Sequence, residues 1–233
     1  MGIINCLDEN NNRLLSELEK EYQIEFRAEN VDYYSVFTQN KTAIISYNPQ
    51  NKIEDESIMH ELLHIWLIQF KCLSGNHIYL SCLNHKKLKL VFIKFLTDYI
   101  GSCFDHYKMY PKFIEMGYAP EKFLSCGVAE KCTIKDIKNL KMRVLLAYSA
   151  KSVEKYIGYL ISIYADHIDN NYTEHLRLLK QKNAELFEIV TNFWNKWKVF
   201  DIQNIDPIEN SDFDLFESFI SDMENWVERK III

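Results

Sequence analysis

Apolar positions in the first third of the chain switch between two periods. Residues 9–22 carry Leu14, Leu15 and Leu18 at helical spacing on a polar background, which predicts a short amphipathic helix. Three strand-like pieces follow, Gln23–Arg27, Tyr33–Phe37 and Thr42–Tyr47. They are rich in Ile, Val, Tyr and Phe and separated by polar turns. After the turn at Asn48-Pro49-Gln50-Asn51 the pattern changes. Residues Ile53–Phe70 predict a helix that is apolar on nearly every side, with Glu54, Asp55 and Glu56 suiting the positive end of its dipole. Residues 71–87 predict an irregular loop or hairpin, and Leu88–Tyr107 a second apolar helix closed by Pro111. Beyond it the chain reads as helical: Ile134–Ile168 long or broken, Thr173–Lys198, and Ser211–Lys230 with Ser211 as N-cap.

The expected fold class is therefore α+β, a small sheet followed by a mostly helical C-terminal half. Residues 1–125 form a first domain and 126–233 a helical region, possible as one continuous domain. With 233 residues, 48% apolar, the chain can bury a real core. A net charge of −6 argues against nucleic acid as the main partner, and no apolar run is long enough to span a bilayer. Neither nucleic acid nor a membrane is expected. Six cysteines without a C-x-x-C pair, and a start without a basic and apolar leader, point to reduced thiols and a cytoplasmic location. Nine acids and no Lys or Arg between Asp201 and Glu228 read as a solvated helix face, with a docking surface for a regulatory protein as the alternative.

The chemistry concentrates in His60-Glu61-Leu62-Leu63-His64. On a helix the two histidines lie one turn apart on one face, so both imidazoles can reach a single ion. Zn²⁺ suits such ligands, and Glu61 is placed to take a proton from a metal-bound water. The bland alternative is a buried His–Glu–His network. Imidazoles and a carboxylate among Ile58, Met59, Leu62, Leu63, Ile65 and Trp66 need an ion or a network to offset their desolvation.

A helix, a small sheet and then this helix resembles the zincin metallopeptidases over roughly residues 9–120. The resemblance implies a zinc-dependent peptide hydrolase with Thr42–Tyr47 as the sheet edge that holds extended peptide. The metzincin spacing is absent after His64. A gluzincin-type arrangement takes its third ligand from the next helix, whose polar stripe is Asp98, Ser102, Asp105 and His106. The run from Tyr99 through Tyr110-Pro111 to Gly117-Tyr118 is similar to bacterial zincin-like proteins that carry Asn-x-x-x-His there. Ser102 replaces the Asn, and His106 is the matching His. His106 is the first choice of third ligand, ahead of Asp105 and Asp98. The expected partner is a peptide or protein substrate. A zincin scaffold that regulates without turnover is the rival reading.

His77 and His85 read as exposed loop histidines, and His167 and His175 as helix-surface residues. Trp194, Trp197, Phe193 and Phe200 read as core packing. Tyr107 and Tyr110 are equal candidates for steadying an oxyanion.

Overall fold

The structure is a computed structural model that describes residues 6–70, 74–124, 131–168, 170–204 and 212–233. Its elements form an α+β chain dominated by helices. Two compact units divide it: Met1–Lys71 with Lys108–Gly127, and Cys72–Tyr107 with Val128–Ile233. The expected division after residue 125 thus differs from this one in the place of residues 72–107.

The first unit opens with α1 (Glu9–Leu18), capped by the Asp8 side chain on the Asn11 amide. Leu14, Leu15 and Leu18 are buried, as their spacing required. Strands β1 (Gln23–Ala28), β2 (Ser35–Gln39) and β3 (Thr42–Tyr47) make a three-stranded sheet in the order β1-β3-β2. β2 and β3 form a hairpin whose two turn residues, Asn40 and Lys41, both hold positive φ (48° and 62°), the backbone a two-residue turn demands. β1 adds to the other side of β3 in parallel. The expectation that Thr42–Tyr47 is the sheet edge is therefore wrong: β3 is the central strand and the free edges are β1 and β2. Its alternating Ala43 and Ile45, both fully buried, mark the face turned to the core.

The helix α2 (Asp55–Ile68) buries Ile58, Met59, Leu62, Leu63, Ile65, Trp66 and Leu67, so it is enclosed on most sides. It is tied to α1 by Asn11, whose side-chain amide donates to the Asp55 carbonyl (3.0 Å), and by the Asp8 amide on Asp55 Oδ1 (3.1 Å).

Of the segment 71–87, residues 71–73 lie outside the described residues, and the remainder, in the second unit, departs from expectation. Instead of a loop or hairpin, Ser74–Cys82 is a helix, α3. The predicted helix 88–107 is also displaced. A single turn, α4 (Leu88–Val91), ends at Phe92, and a new helix α5 runs from Lys94 to Glu115. Pro111 lies inside α5 rather than closing it. A proline deletes one ladder bond and crowds one carbonyl, which a long helix can absorb by bending. The boundary between the units falls within this helix.

The stretch 134–168, read as one helix either long or broken, is broken. α6 (Ile134–Asn139), with a Thr133/Asp136 capping box, leads into a hairpin of β4 (Arg143–Val144) and β5 (Ala147–Tyr148), then α7 (Ala150–Tyr164). Asn183 splits the next stretch into α8 (Thr173–Lys182) and α9 (Ala184–Val199), capping α9 with its side chain. The last helix is α10 (Asp212–Glu228); the proposed cap Ser211 lies outside the described residues. The Trp/Phe cluster is core, as expected. Phe193 stacks on Phe219 at 4.4 Å, Phe104 meets Phe193 and Trp197 at 5.4 and 5.5 Å, and Trp197 is fully buried.

Candidate metal centre

α2 presents His60 and His64 one turn apart, and their rings meet edge to face with centroids 4.9 Å apart. His106 stands on α5, two residues before the part of that helix that belongs to the first unit. Among the described residues, His60, His64 and His106 form one group whose ligand atoms all lie within 4.8 Å of one another. Nitrogens about 2.1 Å from a tetrahedral ion stand roughly 3.4 Å apart, so modest ring rotations close this set on a single ion. The three imidazoles could hold a metal ion.

The electrostatics suit that use. Burial holds His60 down to about 4, against an opposing hydrogen bond to the Phe123 backbone. Burial and the neighbouring His60 hold His64 down to about 3. Both rings are thus neutral near pH 7, the state in which an imidazole nitrogen can bind a metal. Glu61, between them in sequence, is 8% exposed, and burial pushes its carboxyl up to about 7. A hydrogen bond from the Val36 backbone works in the opposite direction.

The Val36 contact locates Glu61 against an edge strand. Since Gln39 and Thr42 close the two-residue hairpin, hydrogen-bonded pairs fall at Gln39, Phe37 and Ser35, leaving the Val36 and Thr38 backbone groups turned away from β3. His60 and Glu61 line a cavity of about 930 Å³ together with Tyr34, Asn48, Glu54 and Phe123. Phe123 packs on His60 at 5.0 Å and on Tyr110 at 5.3 Å.

The other sequence candidates separate clearly. Asp98 is exposed and pairs with Lys94 one turn before it, and neither Asp98 nor Asp105 joins the histidine group. Ser102 is exposed. Tyr107 packs on Trp194, whereas Tyr110 lies beside Phe123. His77 and His85 are half-buried, and bond Glu217 (3.1 Å) and Glu224 (2.7 Å) of α10. Part of the acidic run therefore serves internal pairs. His175 is buried rather than on a helix surface, edge-on to Tyr172 at 5.2 Å. Val36 and Phe123 escaped sequence analysis. A backbone amide has no sequence signature, and nothing in the spacing of Phe123 links it to His60.

Comparison with family models, with curated proteins and with solved structures returned no match. No described helix is long and apolar enough to cross a membrane.

Proposed function

We propose that this protein is a zinc-dependent peptide hydrolase of zincin type, with His60, His64 and His106 as metal ligands and Glu61 as general base. The observation that carries the reading is the convergence of three imidazoles beside a buried carboxyl held near neutrality. A zinc ion on these residues would supply a water of lowered pKa and a Lewis acid for a carbonyl oxygen. Glu61, poised at about 7, can accept a proton from water and return it to a leaving amine at neutral pH. The Val36 hydrogen bond orients its carboxylate. The neutral rings of His60 and His64 need lose no proton to bind.

The substrate reading moves from β3 to β2. With the Val36 N–H engaged by Glu61, the outward Val36 carbonyl and the Thr38 backbone groups offer an extended peptide an edge to pair with, next to the carboxylate that would act on it. The cavity in front of His60 gives room for the side chains of such a segment.

The test compares the native protein with Glu61→Gln on denatured casein and a peptide library, with and without added zinc. Cleavage that the variant loses supports the reading. Stoichiometric zinc with no cleavage of any substrate would favour a regulatory zincin scaffold instead.

A further inference from the structure

The hairpin β4–β5 departs from two ordinary rules of a tight turn, that its tip be polar and that its positive-φ position be Gly or Asn. Leu140 to Arg143 alternate buried and exposed, as a strand against a core should. Then Val144, Leu145 and Leu146 are exposed in succession, at 51, 94 and 87%. The two-residue turn is Leu145-Leu146, where Gly or Asn is the residue the backbone favours. Leu145 holds φ 57°, a conformation in which its β-carbon is crowded. A branched apolar side chain has thus been placed where it costs backbone strain and gains no burial.

The base of the hairpin is firmly held. Tyr148 is buried against Trp226 (5.1 Å), accepts from Arg143 at its hydroxyl (2.6 Å), and exchanges backbone hydrogen bonds with Ile231 and Ile233 (2.7 and 2.9 Å). The tip is therefore a rigid apolar projection. Around it the charge reverses. Residues 135–143 hold exposed Lys135, Lys138, Lys141 and Arg143 against one acid, Asp136, which the Thr133 capping box engages. Lys182 adds its ammonium group at the Lys138 and Leu140 carbonyls (3.0 and 2.8 Å), and exposed Lys151 opens α7. The whole chain carries −6, so this collar is a local departure.

We infer that the β4–β5 tip docks on an anionic lipid bilayer, with Val144, Leu145 and Leu146 entering the headgroup–acyl boundary and the basic collar pairing with lipid phosphates. The charge collar selects an anionic surface, and apolar burial plus electrostatic attraction is the energetic basis of such interfacial binding. The convex tip favours a bilayer over an acidic protein. A fluid interface moulds itself around a projecting turn, whereas a protein partner needs a matching pocket. The reading departs from the expectation of no membrane partner, and requires no membrane-spanning helix.

The experiment is co-sedimentation of the full chain with phosphatidylcholine vesicles with and without phosphatidylglycerol. Binding is expected to the anionic vesicles, and to weaken as salt rises. Leu145→Asp with Leu146→Asp should abolish it, and Lys138→Glu with Lys141→Glu should weaken it by at least about ten-fold. Leu145→Gly keeps a merely structural turn from imitating this result. It should leave Tm unchanged or raised, because Gly accepts positive φ, while still weakening vesicle binding several-fold. No binding to anionic vesicles overturns the proposal, as does Leu145→Gly binding like the native chain. Self-association of the native protein that Leu145→Asp with Leu146→Asp abolishes would assign the tip to a second copy, and would also overturn it.

Discussion

His60 and His64 face one another edge to face at 4.9 Å on a helix that is otherwise buried, and burial keeps both rings neutral. Two neutral imidazoles so placed repel neither each other nor an incoming cation. The first expected outcome is that the purified protein takes up one zinc ion per chain. Binding at 100 times Kd would add about 2.7 kcal/mol to stability. A chelator should therefore lower Tm and added zinc should restore it, and His60→Ala with His64→Ala should show no such response. Elemental analysis with calorimetry checks both.

His106→Ala should lose zinc far more severely than Asp105→Ala. Asp98→Ala should retain native affinity, because Asp98 is spent on an exposed pair with Lys94 worth about 0.3–0.5 kcal/mol. Competition against a coloured chelator gives the order directly. Native affinity in His106→Ala, with loss in Asp105→Ala, would reverse the assignment of the third ligand.

Glu61→Gln should keep the fold and the metal while reducing hydrolysis by roughly 10²–10⁴-fold, the usual contribution of a positioned base. The amide is nearly isosteric and can still meet the Val36 backbone, but it cannot take a proton at neutral pH. Equal rates for the two proteins on any cleaved substrate would exclude Glu61 from that role.

In the second unit a close backbone approach offers a test of packing without touching the histidines. A β-carbon added at Gly101 of α5 would stand 2.9 Å from the Gly75 α-carbon of α3. One added at Gly75 would stand 2.5 Å from the Thr97 carbonyl oxygen. Both contacts are with backbone, which cannot rotate aside. Gly75→Ala and Gly101→Ala should each cost about 1–3 kcal/mol, read from chemical denaturation.

Tyr118 donates to Asp8 Oδ2 (2.7 Å), the residue that caps α1. Burial, and then this hydrogen bond, raise its phenol above the ordinary 10. Because the folded state favours the neutral phenol, the stabilisation is complete below pH 10 and is lost as pH rises through the raised value. Tyr156 and Tyr172 are displaced in the same direction, chiefly by burial. Stability should thus decline above pH 10. Tyr118→Phe should lower it by about 1.5 kcal/mol at neutral pH and make it less sensitive to alkali. Denaturation midpoints across the alkaline range provide the measurement.

Features carried by local rules were legible before any coordinates. A polar turn between Phe37 and Thr42, the Leu14/Leu15/Leu18 face of α1 and the one-turn spacing of His60 and His64 all depend on residues a few positions apart. Backbone geometry ties such neighbours together directly. The apolar surround of α2 was likewise plain from Ile58, Met59, Leu62 and Leu63, and with it the need for the polar residues to find compensation.

Features that depend on distant partners were decided only in three dimensions. Nothing local tells β3 that β1 will add to its far side, so the strand read as an edge became central and β2 took the edge. The segment 71–87 reads as irregular because Ser, Gly, Asn and Lys interrupt its apolar residues. It is helical in part because Gly75 lets α3 approach α5 backbone to backbone. Pro111 reads as a stop when only its missing amide is counted, yet packing of Met109 and Phe113, both fully buried, spans it and keeps α5 in one piece. The angular positions of Asp98, Asp105 and His106 around α5 follow from their spacing alone, because a helix turns about 100° per residue wherever it begins. Which of them comes within reach of His60 and His64 depends on packing between residues far apart in sequence, and only the tertiary structure brings His106, and neither aspartate, into that group.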